Sequence, residues 1–435
     1  MIIDLTVENH LSIKEEQTFS MFAEGALPDN SKHSDNISFV DGKIGTLKTA
    51  GILGANASGK SNLLHAFKAL QYMTTKSSQL EGGDEIPPYE PYLLCPHTRK
   101  APTSLEVEFW LADIRHSYKI QYNQYEITYE SLFFYPKGKP AKIFERTNPD
   151  NWETDEGISF GTYFKGGKKR VPYFSCNSYL AVAGKRADSP AFLRAIYNYF
   201  RKQWDFIFRT NEFMFNFWKD DPESLSAMKC LIRNTDLGIA DFEFRSKELS
   251  PDQLEILEEV PDEYRKHMIE TLKSEIVFMH KSENGELIEF EPGLESLGTK
   301  RLLNSLPVIL FTLQKGSVLF CDELETSFHP HVVELIIKLF NDKRTNQNNA
   351  QLIYTTHSLT TMKSKSMRKD QIWLAEKVGG KTTYVSLDQF DSSLRDSSPF
   401  EKWYDEGRLG GIPSINFKDI IDSISSVMEK NTSNA

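Results

Sequence analysis

The chain has 435 residues, which is enough to bury a large core and to divide into two or three lobes. Its formal net charge is −10, from 51 Lys and Arg against 61 Asp and Glu, so its average field repels DNA and RNA. The four cysteines lie far apart without C-x-x-C spacing, which argues against a disulfide framework or a zinc site. No signal-peptide pattern and no run of about 20 apolar residues occurs, and we expect a soluble cytoplasmic protein.

The N-terminal segment has the pattern of β-strands. Apolar and polar residues alternate from Ile3 to Val7, and a second extended run ends at Phe19. The polar stretch 23–41 predicts a loop, and residues 44–53 return to a strand. This strand leads directly into a glycine-rich segment.

Residues 54–61 read Gly-Ala-Asn-Ala-Ser-Gly-Lys-Ser and fit the pattern G-x-x-x-x-G-K-S. An apolar strand precedes them and apolar residues with helical spacing follow, which is the context of a phosphate-binding loop. Such a loop aims backbone N–H groups and a helix N-terminus at phosphates. Lys60 is expected to reach the β- and γ-phosphates, and the Ser61 hydroxyl to coordinate Mg²⁺. The predicted nucleotide-binding residues of this segment are Gly54, Asn56, Gly59, Lys60, Ser61 and Asn62.

The region after the first helix predicts a connection or lid and then a β meander. Glycines and prolines between 82 and 91 exclude a continuous helix. From 104 to 146, four runs of alternating apolar residues are separated by short turns, which is typical of antiparallel strands. The basic, glycine-rich stretch 157–170 could face a phosphate, but a solvated hairpin tip is the favoured interpretation.

The middle of the chain predicts helices and a hairpin. Helical spacing with many aromatic residues runs from 189 through 217, as in a core or a subunit contact. Helices are predicted at 223–235 and 251–272, and a strand at 239–246. Extended runs at 275–280 and 286–290 flank Asn284-Gly285, which indicates a β-hairpin.

Two further apolar strands end in polar residues suited to nucleotide chemistry. The strand 317–321 ends in Asp322-Glu323, where Asp322 is expected to hold the Mg²⁺ shell and Glu323 to polarise a water. The strand 351–356 ends in His357, which is expected to contact the γ-phosphate region. The catalytic residues predicted here are therefore Glu323 and His357, and the metal ligands are Ser61 and Asp322.

The order of these motifs along the chain distinguishes one class of nucleotide-binding protein from others. Residues 295–301 head a predicted helix before the Asp322-Glu323 strand, 325–330 follow that strand, and 356–358 come next. With 54–61, the set resembles an ABC-type ATPase of the SMC, RecF and OLD class, with Walker A, an S-x-G signature, Walker B, a D-loop and a switch histidine. The histidines at 329 and 331 then belong to the D-loop rather than to a metal site.

Both ends of the chain extend the resemblance. Asn9 after the first strand and the segments 370–373 and 404–413 resemble the compact ATP-binding subunits of bacterial anti-phage defence systems, PARIS-type ATPase subunits above all. The implied fold class is α/β: an ABC-type P-loop ATPase head, a mixed sheet with flanking helices, plus an antiparallel β lobe and an inserted aromatic-rich helical lobe. The implied division is an ATPase core at 1–100 and 293–435, a β lobe at 101–185 and an inserted lobe at 186–292.

The resemblance also implies a head-to-tail ATP sandwich. Ser296 and Gly298 of one copy would close on the γ-phosphate held by Lys60 of another, so that ATP and Mg²⁺ join a homodimer or a higher oligomer. The signature departs from LSGGQ but keeps Ser and Gly where a hydroxyl and close backbone approach are needed. For the Q-loop glutamine, Gln71 and Gln79 lie too close to the first helix, and 91–94 is the favoured equivalent.

Three functions are compatible with these motifs. The first is a slow regulatory ATPase that senses a phage-derived trigger and controls a separate effector, by resemblance a Toprim or HNH nuclease. The second is a RecF-like DNA-repair ATPase that binds DNA directly, which the net charge of −10 opposes. A transporter nucleotide-binding subunit is the third, and the long insertion and missing LSGGQ disfavour it.

Overall fold

The computed structural model describes most of the chain. The described residues are 1–23, 25, 34–40, 44–208, 221–235, 238–250, 269, 273–326, 328–362, 367–390, 394–395, 398–410 and 416–432. Its strands are β1 (Ile2–Glu8), β2 (Gln17–Ser20), β3 (Ile37–Val40), β4 (Ile44–Leu47), β5 (Thr49–Leu53), β6 (Thr103–Leu111), β7 (Ile114–Tyr122), β8 (Ile127–Phe134), β9 (Ala141–Arg146), β10 (Ile158–Phe160), β11 (Trp204–Ile207), β12 (Ile239–Ser246), β13 (Ser274–Lys281), β14 (Leu287–Phe290), β15 (Val318–Cys321), β16 (Gln351–Thr356), β17 (Ile372–Val378) and β18 (Lys381–Ser386). Its helices are α1 (Lys60–Thr75), α2 (Tyr179–Gly184), α3 (Ala191–Lys202), α4 (Pro222–Arg233), α5 (Leu297–Lys315), α6 (Pro330–Asn341), α7 (Leu387–Phe390), α8 (Phe400–Asp405) and α9 (Phe417–Thr432).

An antiparallel sheet of seven strands forms one layer, in the order β10-β9-β8-β7-β6-β1-β2. Side chains alternate across β6, where Leu105, Val107 and Phe109 are buried while their neighbours are partly exposed. The predicted meander is confirmed in β6 to β9. The first two strands of the chain extend the same sheet, because β1 pairs with β6.

A mixed sheet of six strands forms the second layer, in the order β11-β15-β16-β5-β17-β18. The first five strands are parallel, and β18 pairs antiparallel with β17 at the edge. The carboxyl ends of β5, β15 and β16 therefore meet at one edge of the sheet. Nucleotides bind at this edge in open α/β sheets.

Helix α1 belongs to the core shared by the two sheets. Its Phe67 ring lies 6.2 Å from the Phe19 ring of the antiparallel sheet and 4.6 Å from the Phe320 ring of β15. Its apolar face, with Leu63, Phe67 and Leu70, is buried, whereas His65 and Lys68 lie exposed on the opposite face. This packing fixes the N-terminus of α1 against the mixed sheet.

Two predictions from the sequence are wrong in the structure. The loop predicted over 23–41 contains β3, which pairs with β4 because Ile37 and Phe39 meet Leu47 and Gly45. The helix predicted from 189 through 217 ends at Lys202, and β11 follows it beside β15. Strand formation here is favoured by aromatic residues that reach the Phe320 ring, at 5.4 Å from Trp204 and 4.4 Å from Phe206. The rest of the aromatic stretch, 209–217, lies outside the described residues.

A small lobe contains α4 and the three-stranded sheet β12-β13-β14. The predicted hairpin is confirmed, with Gly285 at a φ of 86° in its turn. Leu302, Leu303 and Leu306 of α5 share a core with Ile276 and Phe278 of β13. The helix predicted over 251–272 lies outside the described residues, apart from position 269. Among the helices that the structure describes, none is both long enough and apolar enough to cross a membrane.

Candidate nucleotide site

The loop 54–59 lies between β5 and α1, as the sequence predicts, and two of its glycines cannot carry a side chain. Gly59 has a φ of 95°, and a Cβ there would collide with the Thr382 hydroxyl. A Cβ on Gly54 would collide with the backbone carbonyl of Ala375. The loop is therefore fitted closely against β17 and β18, while Asn56 lies exposed at its tip.

Side chains from behind the loop hold it in place. Thr382 donates to the Ser58 carbonyl at 2.8 Å, and Tyr384 donates to the Gly59 carbonyl at 2.7 Å. Ser12 lies 2.6 Å from the Thr382 hydroxyl and accepts a hydrogen bond from the Asn62 amide at 2.6 Å. The Asn62 side chain thus supports the loop from the side of β1 and β2, and its nucleotide-binding role stays a prediction.

Lys60 is buried at the start of α1 and is held by the loop itself. Its Nζ donates to the carbonyls of Gly54 and Ala55, each at 2.9 Å, and lies 3.3 Å from Nδ1 of His357. Burial lowers the pKa of Lys60 to about 8, although the carboxylates of Glu325, Glu323 and Asp322 act in the opposite direction. This ammonium group is thus placed within a loop built to meet phosphates.

Asp322 and Ser61 meet at the carboxyl edge of the mixed sheet. The Ser61 hydroxyl donates to Oδ1 of Asp322 at 2.7 Å, and the Thr355 hydroxyl donates to the same oxygen at 2.6 Å. A hydroxyl and a carboxylate at one edge of the sheet are oxygen donors that Mg²⁺ takes together with substrate phosphates. These residues therefore fit a Mg²⁺–nucleotide complex. The sequence reasoning missed Thr355, which no local motif distinguishes from other strand threonines.

Glu323 follows Asp322 in a left-handed backbone conformation, with a φ of 48°. Such a φ is uncommon for a residue other than glycine, and it turns the side chain away from the strand direction. The Glu323 N–H donates to the Thr355 hydroxyl at 2.8 Å, and Thr326 donates to its carboxylate at 3.0 Å. His357 Nε2 lies 4.0 Å from the same carboxylate, and the His357 N–H donates to the carboxylate of Glu325. The structure thus brings Lys60, Asp322, Glu323 and His357 into one site.

Ser296 and Gly298 lie at a different place. Ser296 caps α5, since its hydroxyl accepts a hydrogen bond from the Thr299 N–H at 3.1 Å. Both residues line a cavity of about 490 Å³ that also includes Phe328 and His329, and none of its lining residues belongs to the phosphate loop. Within one chain, therefore, this cavity and the Lys60 site are separate.

Arg301 links α5 to the acidic strand end. Its guanidinium donates to the backbone carbonyls of Asp322 at 3.4 Å and Glu323 at 3.1 Å, and it lies 5.8 Å from the ring centroid of Phe328. Arg301 thus connects the helix capped by Ser296 to the backbone of Glu323. The sequence reasoning missed this residue, because an arginine in a helix is most often solvent-exposed.

The segment 91–94, favoured for the Q-loop, lies beside the phosphate loop. It lines a pocket of about 520 Å³ together with Ser12, Asn62 and Lys377. Gln71 is excluded from the Q-loop role by its contacts, since its amide donates to the carbonyls of Phe200 and Trp204, each at 2.9 Å. Strand β11, which the sequence did not reveal, also ends at the nucleotide edge, and the chain after residue 208 lies outside the described residues.

A phosphate loop at the end of a parallel strand, with an acidic strand end beside it, defines a P-loop nucleotide-binding protein of mixed α/β fold. The chain belongs to the family described as "AAA domain, putative AbiEii toxin, Type IV TA system", whose model matches residues 50–363. No curated protein matches the chain.

Solved structures with distant similarity include the following two. The SMC head domain from Thermotoga maritima is 12% identical, with 88% of this chain and 98% of that chain covered and a TM-score of 0.38. The protein cbiO1 from Clostridium perfringens, described as part of the ABC transporter complex cbiONQ, is also 12% identical. Its match covers 93% of this chain and 94% of that chain, with a TM-score of 0.26.

Proposed function

We propose that the protein binds ATP with Mg²⁺ at the Lys60 site and hydrolyses it slowly to ADP and phosphate. The observation that carries this proposal is the contact of Ser61 and Thr355 with one oxygen of Asp322, because a hydroxyl and a carboxylate of the kind that Mg²⁺ binds lie directly beside the phosphate loop. When bound, Mg²⁺ supplies charge that neutralises the phosphate oxygens.

Each side chain has a distinct role in this proposal. Lys60 leaves the Gly54 and Ala55 carbonyls and donates to the β- and γ-phosphates. Ser61 and Asp322 would hold the metal. Glu323 accepts a proton from the attacking water, and His357, which lies near both Lys60 and Glu323, donates to the γ-phosphate.

The complete site would require two copies of the chain. Ser296 is exposed at the N-terminus of a helix, and helix N-termini favour anions through their unpaired N–H groups. Because its cavity is separate from the Lys60 site, Ser296 and Gly298 would reach the γ-phosphate only on another copy. ATP would then join the copies, and hydrolysis would release them.

The biological role we propose is control of a separate effector in bacterial anti-phage defence, as the resemblance to PARIS-type ATPase subunits suggests. The chain belongs to a family whose description names a toxin–antitoxin system, and this supports a role alongside a second, separate protein. The effector would be a nuclease of Toprim or HNH type, activated or released when a phage-derived trigger changes the ATP-bound assembly.

Nucleotide binding and turnover test the first part of this proposal. Lys60→Ala should abolish ATP binding, whereas Glu323→Gln should bind ATP, fail to turn it over and elute as a dimer in gel filtration. Turnover of ATP by Glu323→Gln at the parental rate would refute the assignment of Glu323.

A nucleic-acid binding assay separates the regulatory function from the RecF-like alternative. We expect the Glu323→Gln protein with ATP to bind duplex DNA only weakly at physiological salt, since the chain carries a net charge of −10. Tight binding without any partner protein would favour direct DNA repair. A mass measurement of the complex purified with its neighbouring gene products would test the separate effector.

A further inference from the structure

The residue before Ser296 is held by a histidine of the small lobe. The Glu295 side chain is only 6% exposed, and its Oε1 lies 2.6 Å from Nε2 of His280. His280 is on β13, and its ring lies 4.5 Å from the ring centroid of Phe290 on β14. The contact can form with the neutral Nε2–H tautomer as well as with the imidazolium, because Nε2 carries a proton in both.

Glu295 is the buried anchor of an otherwise exposed segment. Its neighbours Leu294 and Leu297 are 72% and 65% exposed, and Ser296 is exposed as well. Residues 293–297 therefore have little packing of their own. Ser296, which caps α5 from an extended conformation, follows the held Glu295 directly in the chain.

Helix α5 connects this anchor to the nucleotide site. Near its start, Leu302 and Leu303 belong to the core of the small lobe, whereas Ile309 and Leu313 belong to the core around β15. Directly before Leu302, Arg301 contacts the carbonyls of Asp322 and Glu323. The start of α5 is thus fixed by the small lobe and its end by the mixed sheet.

We propose that His280 is a positioning residue for the composite site. Through Glu295, it sets the Ser296 hydroxyl and the Gly298 backbone at the place where the nucleotide of a second copy arrives. The lobe of α4 and β12–β14 would then regulate ATP turnover, because any partner that displaces β13 also displaces Ser296. This inference rests on the proposed function of Ser296.

The test compares three substitutions in the full-length protein. His280→Phe keeps a ring against Phe290 but removes the donor, and Glu295→Ala removes the acceptor. Glu295→Gln is the conservative variant, since its amide oxygen still accepts from Nε2. The matched control is Glu289→Gln on β14, which makes the same carboxylate-to-amide change in a pair with Arg245 in the same sheet.

We expect His280→Phe and Glu295→Ala each to lower kcat about 10- to 100-fold, the size of effect that a small misplacement of a reacting group produces. Affinity for ATP in the dilute single chain should stay at the parental value, because Lys60 and Ser61 are unchanged. The double variant should fall no further than either single one, and Glu295→Gln and Glu289→Gln should remain near the parent.

Two results would overturn the inference: an unchanged kcat in His280→Phe, or a fall in kcat matched by an equal loss of ATP affinity in the dilute chain. Ser296→Ala distinguishes this failure from failure of the proposed function. If Ser296→Ala abolishes turnover and His280→Phe does not affect it, only the positioning role is wrong. If Ser296→Ala is as active as the parent, the composite site itself is wrong.

Discussion

Ser61 and Asp322 are 261 positions apart in the chain, yet the Ser61 hydroxyl donates to Oδ1 of Asp322 at 2.7 Å. This contact joins the start of α1 to the end of β15, and Thr355 completes it from the end of β16. Thr355 lies at the end of β16, Asp322 directly follows β15, and Ser61 lies in the helix that follows β5. These three strands are parallel neighbours in the mixed sheet. The sheet order β15-β16-β5 therefore builds the proposed metal site.

Thr355 should orient the Asp322 carboxylate toward the metal without binding the metal itself. Thr355→Val removes the hydroxyl that donates to Oδ1 while nearly preserving the side-chain volume. We expect it to raise the Mg²⁺ concentration for half-maximal ATPase activity about 10- to 100-fold, as for other outer-shell partners. Titration of activity with Mg²⁺ measures this, and Thr355→Ser, which retains the hydroxyl, is the control. Equal Mg²⁺ requirements in the Val variant and the parent would count against the role of Thr355.

ATP binding should weaken above about pH 8, the pKa to which burial lowers Lys60. Below this pH the ammonium is charged and affinity is constant. Above it the free protein loses the proton that the phosphates require, so binding must take up a proton and affinity falls by up to about tenfold per pH unit. The test is to measure the dissociation constant for ATP from about pH 7 to about pH 9.5, a range that includes the lowered pKa of Lys60. The Lys60→Arg variant stays charged throughout this range, so its affinity for ATP should not depend on pH.

Arg301 should couple the start of α5 to Glu323. Arg301→Met keeps the length of the side chain but removes the donors to the Asp322 and Glu323 carbonyls. We expect kcat to fall about 2- to 30-fold, which corresponds to a coupling of about 0.5–2 kcal/mol. Steady-state kinetics separates this from an effect on KM, which should change little because Arg301 lies outside the phosphate loop. A variant in which KM rises and kcat is unchanged would contradict the coupling.

The antiparallel sheet contains a buried ion pair that should be important for stability. Glu130 and Arg146 are fully buried, 3.7 Å apart, and Glu130 also accepts from Tyr118 and from the N–H groups of Tyr179 and Leu180. Glu130→Gln leaves the guanidinium without its counter-charge, and we expect a loss of about 3–5 kcal/mol in the free energy of unfolding.

Denaturant titration measures this loss, and the neighbouring position 145 provides its control. Glu145 pairs with Lys142 at 3.3 Å, and both side chains are about one third exposed. Glu145→Gln should therefore cost less than about 1 kcal/mol, since exposed pairs contribute little. Equal losses in the two variants would mean that burial of the Glu130 pair is not the cause.

The parts of the site that can be predicted from the sequence are those that depend on local sequence patterns. The loop 54–61, the strand before Asp322 and the helix headed by residues 295–301 each depend on neighbouring residues, and each appears where expected. Ser12 and Thr382 could not be found in this way: they are 370 positions apart, meet at 2.6 Å and are common residue types without a motif. Only the completed sheet brings them behind the loop.

The wrong predictions have a similar physical origin. Residues 204–207 follow a helix and are rich in aromatic side chains, so helical spacing could be extended through them. The structure instead makes them a strand, because pairing with β15 buries Trp204 against Phe67 and Phe320. The neighbour that decides between helix and strand is more than a hundred positions away, which a local pattern does not include.

The central claim is that one copy supplies Lys60 and another supplies Ser296 to the same nucleotide. Mixing two inactive variants, Lys60→Ala and Ser296→Ala, tests it most directly, because a mixed dimer contains one intact site. We predict that the mixture regains about a quarter of the parental ATPase activity, since half of the dimers are mixed and each has one of two sites intact. Activity no greater than the sum of the separate variants, in a mixture that still forms dimers with ATP, would contradict the claim.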